Sequence, residues 1–156
     1  MINYFFERIR VSSPGKDDAT VEFTDGLNII SGPSNTGKTS IVKAIDFLFG
    51  ATKEKAPFST EETGYDKVEM IVATRKYGRL SISRKFDENT ILILKISDAG
   101  NKEPFGEFNA RKGKKEISDF WCDLLDISVR PEIVKNDRYG RQRMGWRTLS
   151  PSLLIT

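Results

Sequence analysis

Leu27-Asn28-Ile29-Ile30-Ser31-Gly32-Pro33-Ser34-Asn35-Thr36-Gly37-Lys38-Thr39-Ser40-Ile41-Val42-Lys43-Ala44-Ile45-Asp46-Phe47-Leu48-Phe49-Gly50 is the stretch that decides how this chain is read. Residues 27–30 are largely apolar and β-branched, the composition of a buried strand. Over residues 38–49, Ile41, Ile45, Leu48 and Phe49 recur at helical spacing, and Gly50 is a natural stop. Between the two, residues 32–39 satisfy G-x-x-x-x-G-K-[ST] at every fixed position. Such a loop turns its backbone N–H groups inward on a polyphosphate, and the following helix aims its positive end at the same charge. From average usage, roughly half a per cent of chains this long would carry the four fixed positions by chance. The candidate nucleotide-binding residues are therefore Gly32, Pro33, Ser34, Asn35, Thr36, Gly37, Lys38, Thr39 and Ser40. Lys38 is expected to reach the β- and γ-phosphates, and the Thr39 hydroxyl to ligate Mg²⁺.

Upstream, residues 2–11 are β-rich and stop at the turn signal Ser12-Ser13-Pro14-Gly15. A short strand over 20–23 closes with Thr24-Asp25-Gly26. Downstream, residues 51–66 are polar and aperiodic and read as a loop. Strands over 68–74, 79–86 and 90–96 follow, joined by the turns Lys76-Tyr77-Gly78 and Asp87-Glu88-Asn89, which makes an antiparallel meander. Residues 97–113 read as a loop. Residues 114–127 form an amphipathic helix with Ile117, Phe120, Trp121, Leu124 and Leu125 on one face.

With 156 residues, 38 % of them hydrophobic, the chain suits one domain with a real core. It contains no His, which excludes histidine acid–base chemistry and His-ligated zinc. A single Cys122 excludes an internal disulfide, lacks a basic neighbour to activate it, and suits a reducing compartment. The start, MINYFFERIR, lacks the pattern of a signal peptide, and the apolar runs are strand-sized. A cytoplasmic protein with no membrane partner is expected. The net charge of +3 is unevenly placed. Residues 129–147 hold six basic side chains against Glu132 and Asp137, an excess of four, so the remainder is slightly acidic. The run Arg138-Tyr139-Gly140-Arg141-Gln142-Arg143-Met144-Gly145-Trp146-Arg147 interleaves cations with aromatics. That pattern suits contact with a nucleic acid, and equally a solvated surface hairpin.

Two strands before the glycine-rich loop and an antiparallel meander after its helix form an order that resembles the heads of ABC-type ATPases. Over residues 20–50 the sequence is similar to the SMC, RecF and RecN group. There an apolar-Asn-apolar-Ile-apolar-Gly run leads into the loop, and an Ala-Ile pair sits within the helix. Leu27-Asn28-Ile29-Ile30-Ser31-Gly32 and Ala44-Ile45 carry that likeness here. The resemblance implies an α/β fold: a P-loop NTPase, as an ABC-ATPase-like half-head with an antiparallel β-meander beside the P-loop strand and helix. It implies ATP and Mg²⁺ as ligands, and DNA, a second head lobe and a homodimer partner as associates. Residues 1–156 then form a single N-terminal lobe that ends before the Q-loop, with Gln142 one candidate for that loop and residues 152–156 the strand leading into it.

Two positions depart from the group's pattern. Ser34 stands where Asn is common, and Asn35 where Gly is common. Asn is the best non-glycine residue for a positive φ, so the loop shape is expected to survive. An LSGG signature and a switch histidine are absent, and Asp98 after the run 91–94 reads as a turn residue rather than a Walker B acid. No catalytic residue is therefore assigned, and the chain alone is expected to bind ATP with negligible turnover. Arg84 could face nucleotide or DNA as in the resembling heads, or be a solvated strand-end charge. Arg8 and Arg10 read as edge-strand charges. The alternatives are a small P-loop kinase or other self-contained NTPase, a GTPase for which Asn101-Lys102-Glu103-Pro104 falls one residue short of N-K-x-D, and a pure DNA-binding module.

Overall fold

The computed structural model describes residues 3–111, 113, 115–128, 132–136 and 140–143, the residues 133–136 and 140–143 by their backbone alone. Six strands make one sheet: β1 (Tyr4–Ser13), β2 (Lys16–Glu22), β3 (Lys67–Thr74), β4 (Gly78–Lys85), β5 (Thr90–Ile96) and β6 (Lys102–Asn109). Their order is β2-β1-β3-β4-β5-β6, and every pairing is antiparallel. The helices α1 (Lys38–Leu48) and α3 (Ile117–Leu124) supply the α part, with α2 (Thr60–Thr63) and a 3₁₀ turn (Lys53–Lys55) in the connection from α1 to β3. Strands β7 (Glu132–Asn136) and β8 (Gly140–Arg143) pair as a separate hairpin.

The meander is present, with Met70 opposite Ile82 and Ile82 opposite Ile93. Alternation decides the faces. Val68, Met70, Val72, Leu80, Ile82, Ile91 and Ile93 point into one core and are fully buried. Helix α1 lays Ala44, Ile45, Phe47 and Leu48 on that face, and α3 adds Ile117, Phe120, Trp121 and Leu124. Trp121 is the hub, with ring centroids 4.4 Å from Phe49, 5.2 Å from Phe120 and 5.7 Å from Tyr4. Cys122 is buried beside it, as an inert thiol should be.

Three expectations are corrected. Residues 97–113 do not form only a loop, since β6 runs through them. Pro104 and Gly106 disguise it, and the topology explains why they are tolerated. β6 is an edge strand with a register shift at Ile93/Leu94, where a missing N–H costs no central ladder bond. Arg8 and Arg10 are not on an edge, because β2 covers β1. Arg10 binds Asp18 and Glu69 at 3.3 and 3.0 Å. Most consequential, residues 27–30 are neither a strand nor buried: Leu27 and Ile29 are 79 % and 80 % exposed. β-branched composition makes a strand only where a neighbouring strand accepts its backbone bonds, and no described strand pairs with this segment.

On the sheet face turned from the helices, Glu69 is 4 % exposed and collects Arg10, Ser81 at 3.0 Å and Lys102 at 2.8 Å. Burial alone would push its carboxyl up, but Lys102, Ser81 and Arg10 together hold it below the usual range. Lys102 is thereby committed to an ion pair, which leaves no support for a guanine-reading role. Asp98 lies in the exposed β5–β6 turn, as expected. Among the described residues, no helix is long and apolar enough to cross a membrane.

Candidate functional site

The glycine-rich loop emerges from a turn that Asn28 ties shut. Its Oδ1 accepts from the Thr24 N–H at 2.9 Å, and its Nδ2 donates to the carbonyls of Thr24 and Gly26 at 2.8 and 3.1 Å. The one polar residue in an apolar run is thus the clamp that sets where the loop begins. Residues 33–37 then form a turn of their own. Asn35 takes φ +64°, the left-handed conformation its replacement of glycine demanded, and Gly37 follows at +83°. Gly37 also caps α1 and accepts from the N–H groups of Ser40 and Ile41 at 3.0 and 3.3 Å. Left-handed residues such as these two are the backbone conformations from which anion-holding nests of N–H groups are built.

Lys38 opens α1, and its ammonium folds back onto the loop, donating to the carbonyls of Gly32 and Pro33. Thr36 Oγ1 donates to the Pro33 carbonyl at 2.8 Å and lies 3.4 Å from the ammonium. Thr39 is exposed in the first turn of α1. Residues 34–40 line an open cavity of about 580 Å³, so the motif is gathered in one place. One further side chain lines it: Phe58, which the motif does not reach. Its sequence signal is an aromatic just after Pro57 in an otherwise polar connection.

At its other end α1 is held by Arg84. That residue is 1 % exposed and neither faces a ligand nor sits in solvent, so both readings of it fail. Its Nη1 donates to the Phe47 and Ala51 carbonyls at 2.8 and 2.7 Å, its Nε to the Glu88 carbonyl at 2.9 Å, and its guanidinium lies 3.8 Å from the Phe47 ring centroid. A cation on the last carbonyls of a helix also complements the helix dipole. Burial, with Arg111's charge second and Glu54 opposing, pulls the guanidinium down to about 10, so it stays charged at neutral pH. No sequence signal separates such an arginine from a surface one; only the fold brings β4 under the end of α1.

Gln142 falls in β8, opposite Ile133, within a hairpin rather than a loop between lobes. The side chains of Arg141 and Arg143 and all of Arg138, Tyr139, Trp146, Arg147 and residues 152–156 lie outside what is described.

A glycine-rich loop with left-handed residues at the N-terminus of a helix packed on a β-sheet defines a nucleotide-binding class of domain. Residues 15–140 match the family of the AAA ATPase domain, and the chain belongs to that family. It is 33 % identical over 86 residues to the DNA replication and repair protein RecF of Tropheryma whipplei, covering 53 % of this chain and 24 % of that protein. It is 30 % identical over 142 residues to the DNA repair protein RecN of Aquifex aeolicus, covering 86 % of this chain and 25 % of that one. The chain therefore spans about a quarter of the length of these relatives. No solved structure matches it.

Proposed function

We propose that the chain is the ATP-binding lobe of an SMC/RecF/RecN-like ATPase that acts on DNA in repair, recombination or defence. The observation that carries the reading is the loop itself: Asn35 and Gly37 left-handed, Lys38 and Thr39 at the start of α1, and all of residues 34–40 around one cavity. The backbone N–H groups and Lys38 would hold the phosphates. Thr39 offers a hard hydroxyl oxygen of the kind Mg²⁺ prefers, beside phosphate oxygens that would complete its shell. Bound there, Mg²⁺ would neutralise phosphate charge.

The exposed Leu27, Ile29 and Ile30 support a lobe completed by a second one, since three large exposed apolar side chains within four residues before the loop ask for a covering layer. Hydrolysis would follow only when that lobe and a dimer partner supply the attacking water's base and the charge stabilisation. DNA as the partner rests on the named roles of the RecF and RecN relatives and on the basic stretch 129–147. The test is ATP titration by calorimetry. Lys38→Ala removes a charge-assisted contact worth about 1.5–3 kcal/mol, more than tenfold in affinity. Equal affinity in both proteins overturns the reading.

A further inference from the structure

We infer that Phe58 is the surface on which the nucleobase of a bound nucleoside triphosphate rests, an assignment that builds on the loop being the triphosphate site. The cavity wall formed by residues 34–40 is polar, made of Ser, Asn, Thr, Gly and Lys, and a polyphosphate accounts for all of it. Phe58 has nothing to offer a phosphate. A flat apolar ring on the rim of an anion site matches a ligand whose phosphates continue into something flat and apolar, which is the build of a nucleotide.

The ring is also held in place before any ligand arrives. Phe58 is half-buried against the core, and its centroid lies 6.2 Å from that of Tyr65 at 56°. Tyr65 in turn is fixed by the β1–β2 hairpin: its hydroxyl donates to the Asp17 carbonyl at 3.2 Å, and Lys16 Nζ sits 4.3 Å above its ring. Lys16 also donates to the Thr63 carbonyl, at the end of α2. Pro57, buried beside Phe58, restricts the backbone that presents it. A preorganised platform avoids the ordering cost that a free surface aromatic would incur on binding. Stacking is tolerant of base identity, because every base has a π-face, so the platform favours nucleotides over bare polyphosphate without choosing adenine over guanine.

The experiment compares ATP, GTP and inorganic tripolyphosphate, each titrated into the wild-type chain, Phe58→Ala, Phe58→Trp and Lys38→Ala. Phe58→Ala should lose roughly tenfold or more in affinity for ATP and GTP alike and keep its affinity for tripolyphosphate. Phe58→Trp should restore nucleotide affinity, with its indole fluorescence quenched on binding. Unchanged ATP affinity in Phe58→Ala overturns the assignment. So does an equal loss for ATP and tripolyphosphate, which would make Phe58 a support for the loop. Lys38→Ala separates the two levels: if it leaves ATP and tripolyphosphate binding intact, the loop is not the phosphate site and the assignment fails with it.

Discussion

Arg84→Met keeps an unbranched apolar stem in place and removes the guanidinium. The Phe47 and Ala51 carbonyls then lose donors at 2.8 and 2.7 Å, and both residues are fully buried, so water does not replace them. The Phe47 carbonyl keeps the Gly50 N–H at 3.2 Å, so Ala51 is the acceptor left short, at about 1–3 kcal/mol, and the Glu88 carbonyl loses a further bond at 2.9 Å. Against this, no charge need now be buried, which returns part of the loss. The net expectation is about 2 kcal/mol, a sizeable share of the 5–15 kcal/mol typical of a domain. In urea titrations followed by tryptophan fluorescence, the midpoint should fall by about 1 M or more with the slope unchanged. Arg84→Lys should recover only part, since one ammonium does not reproduce the fork that spans α1 and the β4–β5 turn. A loss below about 1 kcal/mol, together with a collapse in ATP or DNA affinity, would refute the reasoning and return Arg84 to a ligand-facing role.

Glu69→Gln tests the network on the opposite face. A carboxyl held below its ordinary range contributes stability that is fully present above the unfolded value, near 4.3, and lost as pH falls through the lower folded value. The stability gap between wild type and variant should therefore be widest at neutral pH and close under acid, as read by urea titrations at several pH values. Gly50→Ala places a Cβ 2.8 Å from Ile117 Cγ2 and 3.1 Å from the Ala110 carbonyl, at φ +104°. About 2 kcal/mol of destabilisation is expected by thermal melting, from the close approach and the positive φ together. Replacing Arg141, Arg143 and Arg147 together should weaken DNA binding and flatten its salt dependence by up to about three phosphate equivalents; an unchanged slope returns the basic stretch to the solvated-surface reading. In a phosphate-release assay the chain alone should turn ATP over far below about 1 s⁻¹, and faster turnover that disappears in Lys38→Ala would favour a self-contained NTPase.

What the sequence made legible was the part governed by short-range rules. The meander, α3 and the α1 boundaries follow from periodicity and turn residues that act within a few positions, and the left-handed Asn35 follows from the chemistry of one loop. What it concealed depends on neighbours distant in the chain. β6 is a strand because β5 offers an edge to residues 102–109, despite Pro104. Residues 27–30 have strand composition without a described strand beside them. Arg84 and Phe58 acquire their positions from elements 37 and about 20 residues away, the ends of α1; nothing local marks Arg84, and Phe58 stands out only as an aromatic after Pro57.

Lys38 has a further consequence for what the loop accepts. Its ammonium is solvated by the loop's own carbonyls, so any anion must displace neutral oxygens that already satisfy it. The free energy gained is then an exchange, carbonyl for anion, rather than a fresh contact. A monovalent anion offers little more than it replaces, whereas a triphosphate brings several charges to the same point and wins decisively. On the proposed reading of the loop, the Gly32 and Pro33 carbonyls would set a threshold that single anions do not clear and concentrated negative charge does.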